Sequence, residues 1–243
     1  YTFDAENKTA TITGLSDLGQ QWIAEQGTLY IPNHFDIASE RYAITTIGDN
    51  AFTGNTNVTE VLMEDWEGSL STIGANAFKS LSNCASLHIA NTVTTIGNSA
   101  FDGDKNVTEL TIPESVVSIG SYAFSNWKYL ENLYYNAVNA EVSGTAFYMA
   151  GHQNYDSFVF GGRDVVPGYT LHIGDNVETI SRYVGYVSDD SIKASIPCVK
   201  RIDWGTNSKI TLTNSNFANW PVTSIEFPSH ITTLPTSICN NCD

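Results

Sequence analysis

Five histidines and four cysteines are the side chains of this sequence best suited to hold a metal or to carry nucleophilic chemistry. Their spacing argues against both. Cys239-Asn-Asn-Cys242 has the interval of half a zinc site, but a tetrahedral site needs two more ligands. The chain has no second Cys-x-x-Cys and no His-x3–5-His. Cys242, three after the phenylalanine slot, is read first as a small buried hydrophobe, and a disulfide between Cys239 and Cys242 is the lesser alternative. His34, His88, His152, His172 and His230 form no metal-ligating spacing. Serines are frequent, yet no Gly-x-Ser-x-Gly elbow presents one as a nucleophile. Glu109 and Glu226 are the carboxylates to consider for glycoside cleavage, which needs two groups within about 10 Å of each other. No glycine-rich phosphate loop opens a helix. Asn7, Asn57 and Asn106 each open an Asn-x-Thr sequon. The expectation is a protein without a catalytic centre, metal or cofactor.

What positions these residues is a repeat. Ile47, Ile73, Ile96 and Ile119 each begin Ile-Gly-x-x-Ala-Phe, and Phe52, Phe78, Phe101, Phe124 and Phe147 follow in steps of 26, 23, 23 and 23 residues. A fixed period of this length marks a solenoid, in which each unit buries its apolar face only against its neighbours. The second half of each unit has an apolar-x-x-apolar-x-apolar pattern: Val58, Val61, Met63; Cys84, Leu87, Ile89; Val107, Leu110, Ile112; Leu130, Leu133, Tyr135. Residues two apart in a strand share a face. Leu87, Ile89, Leu110, Ile112, Leu133 and Tyr135 are therefore expected inside, with Cys84 acting as a small buried hydrophobe. Glycine is expected to permit a tight turn, alanine a close approach of backbones, and phenylalanine to fill the centre.

Residues 1–43 carry the repeat only in part and are read as an N-terminal cap with the first rung. Residues 1–4 and 9–13 form two short strands. Leu15, Leu18, Trp22 and Ile23 give a helical turn or two, and Thr28-Leu29-Tyr30-Ile31-Pro32 parallels Glu109-Leu110-Thr111-Ile112-Pro113. Residues 44–243 are the solenoid proper, one continuous domain of about eight rungs at roughly 4.7 Å per strand. Leu133, Leu171, Ile202 and Ile225 follow one another in steps of 38, 31 and 23, so insertions fall near 148–168 and 183–200. Phe158-Val159-Phe160 with Gly161-Gly162 suggests a small hairpin in the first of them.

Composition bounds the partners. Eleven Lys and Arg against 26 Asp and Glu leave a formal charge of −15, which repels nucleic acid and anionic lipid. No run of about 18 apolar residues spans a membrane. The first residue is Tyr1 and no basic-then-apolar leader follows, which suggests a mature or excised piece.

The four Ile-Gly-x-x-Ala-Phe copies, Leu110-Thr-Ile-Pro-Glu-Ser-Val116 and the opening Lys8-Thr-Ala-Thr-Ile-Thr-Gly14 resemble the BspA-type leucine-rich repeat, a bacterial surface-protein family. The resemblance spans the chain, most weakly over 148–209. It implies a right-handed leucine-rich repeat solenoid, mostly strands and turns, with a parallel sheet on its concave side. It also implies export and a non-catalytic role in adhesion or binding to host or microbial macromolecules.

The repeat phase also sorts the outward residues. One slot runs Leu62, His88, Thr111, Tyr134, His172, Asp203, Glu226, and the stripe beside it runs Glu60, Ser86, Glu109, Asn132, Thr170, Arg201, Ser224. A sheet face can simply be wet, but solenoid curvature makes such stripes recognition surfaces. The candidate ligand-binding residues are His88, Thr111, Tyr134, His172, Glu109 and Asn132, with the 148–168 insertion as a second location. The partner expected is an unidentified protein or glycan, cationic or neutral, met by a monomer at the cell surface or outside the cell. A carbohydrate-active protein, using Tyr134, Trp66, Trp127, Trp204 and Trp220 to stack on sugar rings, is one alternative. A passive spacer is another.

Overall fold

The computed structural model of the chain describes residues 1–65, 68–104, 106–148, 150, 168–185, 199–214, 216, 217, 220 and 225–239. Trp66, His152, Cys198, Cys242, Ser224 and the hairpin expected at 158–162 lie outside them.

The chain opens with the antiparallel pair β1 (Thr2–Asp4) and β2 (Thr9–Ile12). Ser16 then caps the helix α1 (Asp17–Gln26), its side chain accepting the Gly19 amide at 3.2 Å, and Gly27 ends it at φ 75°. The helix buries Ile23, but Leu18 and Trp22 face solvent, so only part of the expected apolar stripe reaches the core. Next come β3 (Thr28–Ile31), β4 (His34–Ile37) and β5 (Glu40–Ile47). β5 crosses positions 43 and 44, so one unbroken strand joins the cap to the repeats.

Each later repeat contributes a long strand and a two-residue strand. They are β6 (Glu60–Met63), β7 (Thr72–Ile73), β8 (Ser86–His88), β9 (Thr95–Ile96), β10 (Glu109–Ile112), β11 (Ser118–Ile119), β12 (Asn132–Tyr135) and β13 (Glu141–Val142). β14 (Tyr169–Ile173) and β15 (Val199–Asp203) complete the order. The short strands stack as β2-β5-β7-β9-β11-β13, with β1 beyond β2 and β4 against β5. The long strands make two parallel sheets, β3-β6-β8 and β10-β12-β14-β15. Ile225, expected to head a further rung, is in no strand.

The register is the one the period requires. Leu110, Leu133, Leu171 and Ile202 lie side by side, and Thr111, Tyr134, His172 and Asp203 form the neighbouring row. Leu110, Ile112, Leu133, Tyr135 and Ile89 are buried while Thr111 is exposed. Val58, Cys84, Val107 and Leu130 share one buried slot. Burial, with the charge of Asp104 nearby, pushes the Cys84 thiol up to about 12, so it stays protonated and packs as a hydrophobe. The Tyr135 hydroxyl is buried and has no hydrogen-bond partner among the described residues.

Opposite the long strands, Phe52, Phe78, Phe101, Phe124 and Phe147 stack as a ladder with centroid spacings of 5.3, 5.0, 5.4 and 5.2 Å. The backbone amides of the first four donate to the carbonyls of Ala77, Ala100, Ala123 and Ala146 in the next rung. The repeated glycine serves a purpose other than the expected tight turn. Gly74, Gly97 and Gly120 have no left-handed φ; that conformation falls two residues later, at Asn76, Ser99 and Tyr122. The glycines are needed because a Cβ would lie under 3 Å from the backbone of the preceding rung.

Asp104 is a buried carboxyl in this core, accepting the Leu81 amide at 2.9 Å. Burial, aided by the charge of Asp102, raises its pKa well above the usual 3.8. A carboxyl raised in the folded state imposes no penalty below its unfolded pKa; stability then falls as pH climbs toward the raised value. Asp104→Asn should therefore unfold several degrees higher than the parent at pH 7 and lose that advantage near pH 4. Thermal melts across this range check it, and a constant gap would contradict it.

Candidate ligand-binding face

The outward residues of the long strands are held on rigid backbone, one rung apart. Glu109 lies beside Asn132, Asn132 beside Thr170, and Thr170 beside Arg201. Of the six residues singled out by sequence, five come together: Glu109, Thr111, Asn132, Tyr134 and His172 share the sheet β10-β12-β14-β15. His88 belongs to the other sheet, beside Leu62.

Four side chains link across rungs. The Asn132 amide nitrogen donates to Glu109 Oε1 at 3.4 Å, which turns Asn132 Oδ1 toward His172 Nε2 at 3.1 Å. His172 Nδ1 meets Asp203 Oδ2 at 3.0 Å. Both imidazole nitrogens thus meet side-chain oxygens of neighbouring rungs. The Gly205 amide, then the His172 bond, hold the Asp203 carboxyl below its usual value. Tyr134 stacks on His172 with centroids 4.5 Å apart and planes 14° from parallel.

His88 is engaged elsewhere. Its Nε2 lies 2.7 Å from Asp65 Oδ2, and Asp65 Oδ1 accepts the Asn91 amide. This clasp closes the end of β8.

Between β8 and β10 the face splits. No strand pairing joins them. In equivalent positions the amides of Thr59, Ala85 and Glu131 donate to the preceding rung, at Gly27, Thr59 and Thr108. Thr108 N–H makes no such bond among the described residues. At the other end Glu64, Asn136 and Gly174 donate to the rung before, whereas Pro113 has no N–H to give. The opening leaves Leu87 half-buried, correcting the expectation that it lines the interior like Leu110 and Leu133. It also forms a dent of about 280 Å³ lined by Ala85, Ser86, Leu87 and, across the split, Thr108, Glu109, Thr111 and Tyr134.

Other expectations fare differently. Trp127, Trp204 and Trp220 are buried rather than available for sugar stacking, each donating its indole N–H to a backbone carbonyl, of Phe101, Glu226 and Arg182 respectively. Burial satisfies their polar edge, and Trp127 and Trp220 fill the position three after the repeated phenylalanine. Within the 148–168 insertion, residues 151–167 lie outside the described residues, as do 186–198 of the second. Sequence reading missed Tyr30, half-exposed beside Leu62 at the start of the outward slot. The likeness of Thr28–Ile31 to Glu109–Ile112 was the signal for it. Among the described residues no three His, Cys, Asp or Glu side chains gather as metal ligands, and no helix is long and apolar enough to cross a membrane.

Comparison with known proteins agrees with this architecture. The BspA-type leucine-rich repeat region is matched in six copies over residues 33–153 and 170–243. No curated protein matches the sequence. Among solved structures, a leucine-rich repeat protein from T. pallidum is 17% identical, with a TM-score of 0.58 over 84% of this chain and 78% of that one. A leucine-rich repeat protein from Bacteroides capillosus is 26% identical over 55% of this chain and 90% of its own, with a TM-score of 0.46. One from Bacteroides ovatus is 20% identical over all of this chain and 61% of its own, with a TM-score of 0.47.

Proposed function

Because the chain belongs to the BspA-type leucine-rich repeat family, we propose that it is a non-catalytic binding or adhesion module. It works as a monomer at the bacterial surface or outside the cell and recognises a host or microbial macromolecule through the outward face of its long strands. The observation that carries this reading is the Glu109–Asn132–His172–Asp203 line with Tyr134 stacked beside it. Those side chains occupy adjacent rungs and hold one another in place, so a partner meets a preorganised surface at little further entropic cost. Most of the apolar residues that recur in the repeats are buried in the core, and on the sheet β10-β12-β14-β15 the outward rows carry Glu109, Thr111, Asn132, Tyr134, Thr170, His172, Arg201 and Asp203. The carbohydrate reading loses support, since three of the five aromatic residues it invoked are buried.

The test is an array of matrix proteins, mucins and glycans probed with the chain, followed by the Tyr134→Ala, His88→Ala double variant on whatever the parent retains. Loss of about tenfold or more in affinity, at unchanged circular dichroism and melting temperature, is expected. An unchanged dissociation constant would remove the strand face as the binding surface. Retention of nothing by the parent would favour a spacer.

A further inference from the structure

We propose that the dent between β8 and β10 receives the guanidinium of an arginine side chain carried by a protein partner. This deepens the binding-face reading and rests on it.

The split leaves the Thr108 N–H, at the edge of the dent, without the cross-rung bond that its counterparts make among the described residues. Of the seven side chains lining it, Ala85 and Leu87 are apolar and the other five carry hydroxyls or a carboxylate: Ser86, Thr108, Thr111, Tyr134 and Glu109. No basic side chain lines it. Glu109 Oε1 receives Asn132, while Oε2 has no hydrogen-bond or ion-pair partner among the described residues. Tyr134 forms one wall. Its ring is stacked on His172 in the next rung, and Thr111 is its neighbour in the rung before.

A planar cation with five N–H donors and no acceptor matches this lining. Guanidinium can give a charge-assisted bond to Glu109, hydrogen bonds to the hydroxyls and a cation–π contact to the Tyr134 ring. A cavity of about 280 Å³ is large enough for that group and too small for a folded segment. The overall charge of −15 draws a cation toward the site and disfavours anionic competitors. A neutral ligand such as a sugar would gain nothing from this field.

The test uses N-acetyl-arginine amide as probe and N-acetyl-citrulline amide as its neutral isostere, titrated into 15N-labelled chain. The expected result is a saturable set of amide shifts confined to residues 85–87, 108–111 and 134, with the arginine derivative bound about tenfold more tightly than citrulline. Glu109→Gln and Tyr134→Leu, both surface changes, should each weaken arginine binding several-fold while the amide spectrum stays folded. Equal response to citrulline, or arginine shifts spread over the whole acidic surface, would overturn the proposal. Either result leaves the strand-face reading to its own array test. Saturation of the dent by arginine, with macromolecular binding untouched in the Tyr134, His88 double variant, would discard the strand-face reading and with it the partner's arginine as the occupant.

Discussion

Replacing Phe101 with alanine should lower the unfolding free energy by about 3–5 kcal/mol. The ring is fully buried, lying 5.0 Å from Phe78 and 5.4 Å from Phe124, with planes within 1° and 5° of parallel, and Trp127 meets it edge-on at 6.5 Å. Removing it takes one plate from a stack whose spacing is set by backbone hydrogen bonds. The Phe78 amide donates to Ala100 at 2.7 Å and the Phe101 amide to Ala123 at 2.8 Å. The neighbouring rungs cannot close the gap without breaking those bonds, so the cavity persists and its full cost is felt. Thr111→Ala, on the exposed face, should shift stability by no more than about 0.5 kcal/mol. Chemical denaturation of the two variants compares them directly, and equal midpoints would refute the ladder as the main source of stability.

Gly97→Ala should cost about 1–3 kcal/mol, or more if the neighbouring rung is displaced. A Cβ at this position would stand 2.7 Å from the Gly74 carbonyl carbon and 2.8 Å from the Ala75 nitrogen. Both are backbone atoms and cannot swing aside. The Gly97 amide is also bonded to Ile73 O at 2.8 Å, so relief requires β7 and β9 to separate. Gly54→Ala is the informative control. Its φ of 72° is the left-handed conformation, but nothing lies within 4 Å of the added carbon. That change should cost only backbone strain, about 1 kcal/mol. If Gly54→Ala proved the more damaging, backbone conformation rather than close approach would explain the repeated glycine.

The phase of Ile-Gly-x-x-Ala-Phe is enough to place Leu110 inside and Thr111 outside. It also puts Cys84 in the slot of Val58 and Val107, and gathers five of the six candidate residues on one sheet. Burial of the tryptophans is harder to see, because an indole reads equally as a core filler or an exposed platform until a carbonyl for its N–H is located. For Trp127 that carbonyl is Phe101, one rung away.

The sequence by itself determined which residues repeat in phase, and therefore which line the core and which face outward. In a solenoid each inward residue packs on its counterpart one period away, so the period carries the three-dimensional neighbour list. The tertiary structure alone decided where the face opens. The missing N–H of Pro113 is visible in the sequence, but the lost bond of Thr108 and the clasp of His88 on Asp65 depend on how adjacent rungs sit against each other. The slot order places His172 beside Asp203 despite the irregular step of 31 residues, but the hydrogen bond between them is visible only in the fold. Hydrogen bonds between rungs depend on displacements of a few tenths of an ångström, and a repeat pattern does not encode them.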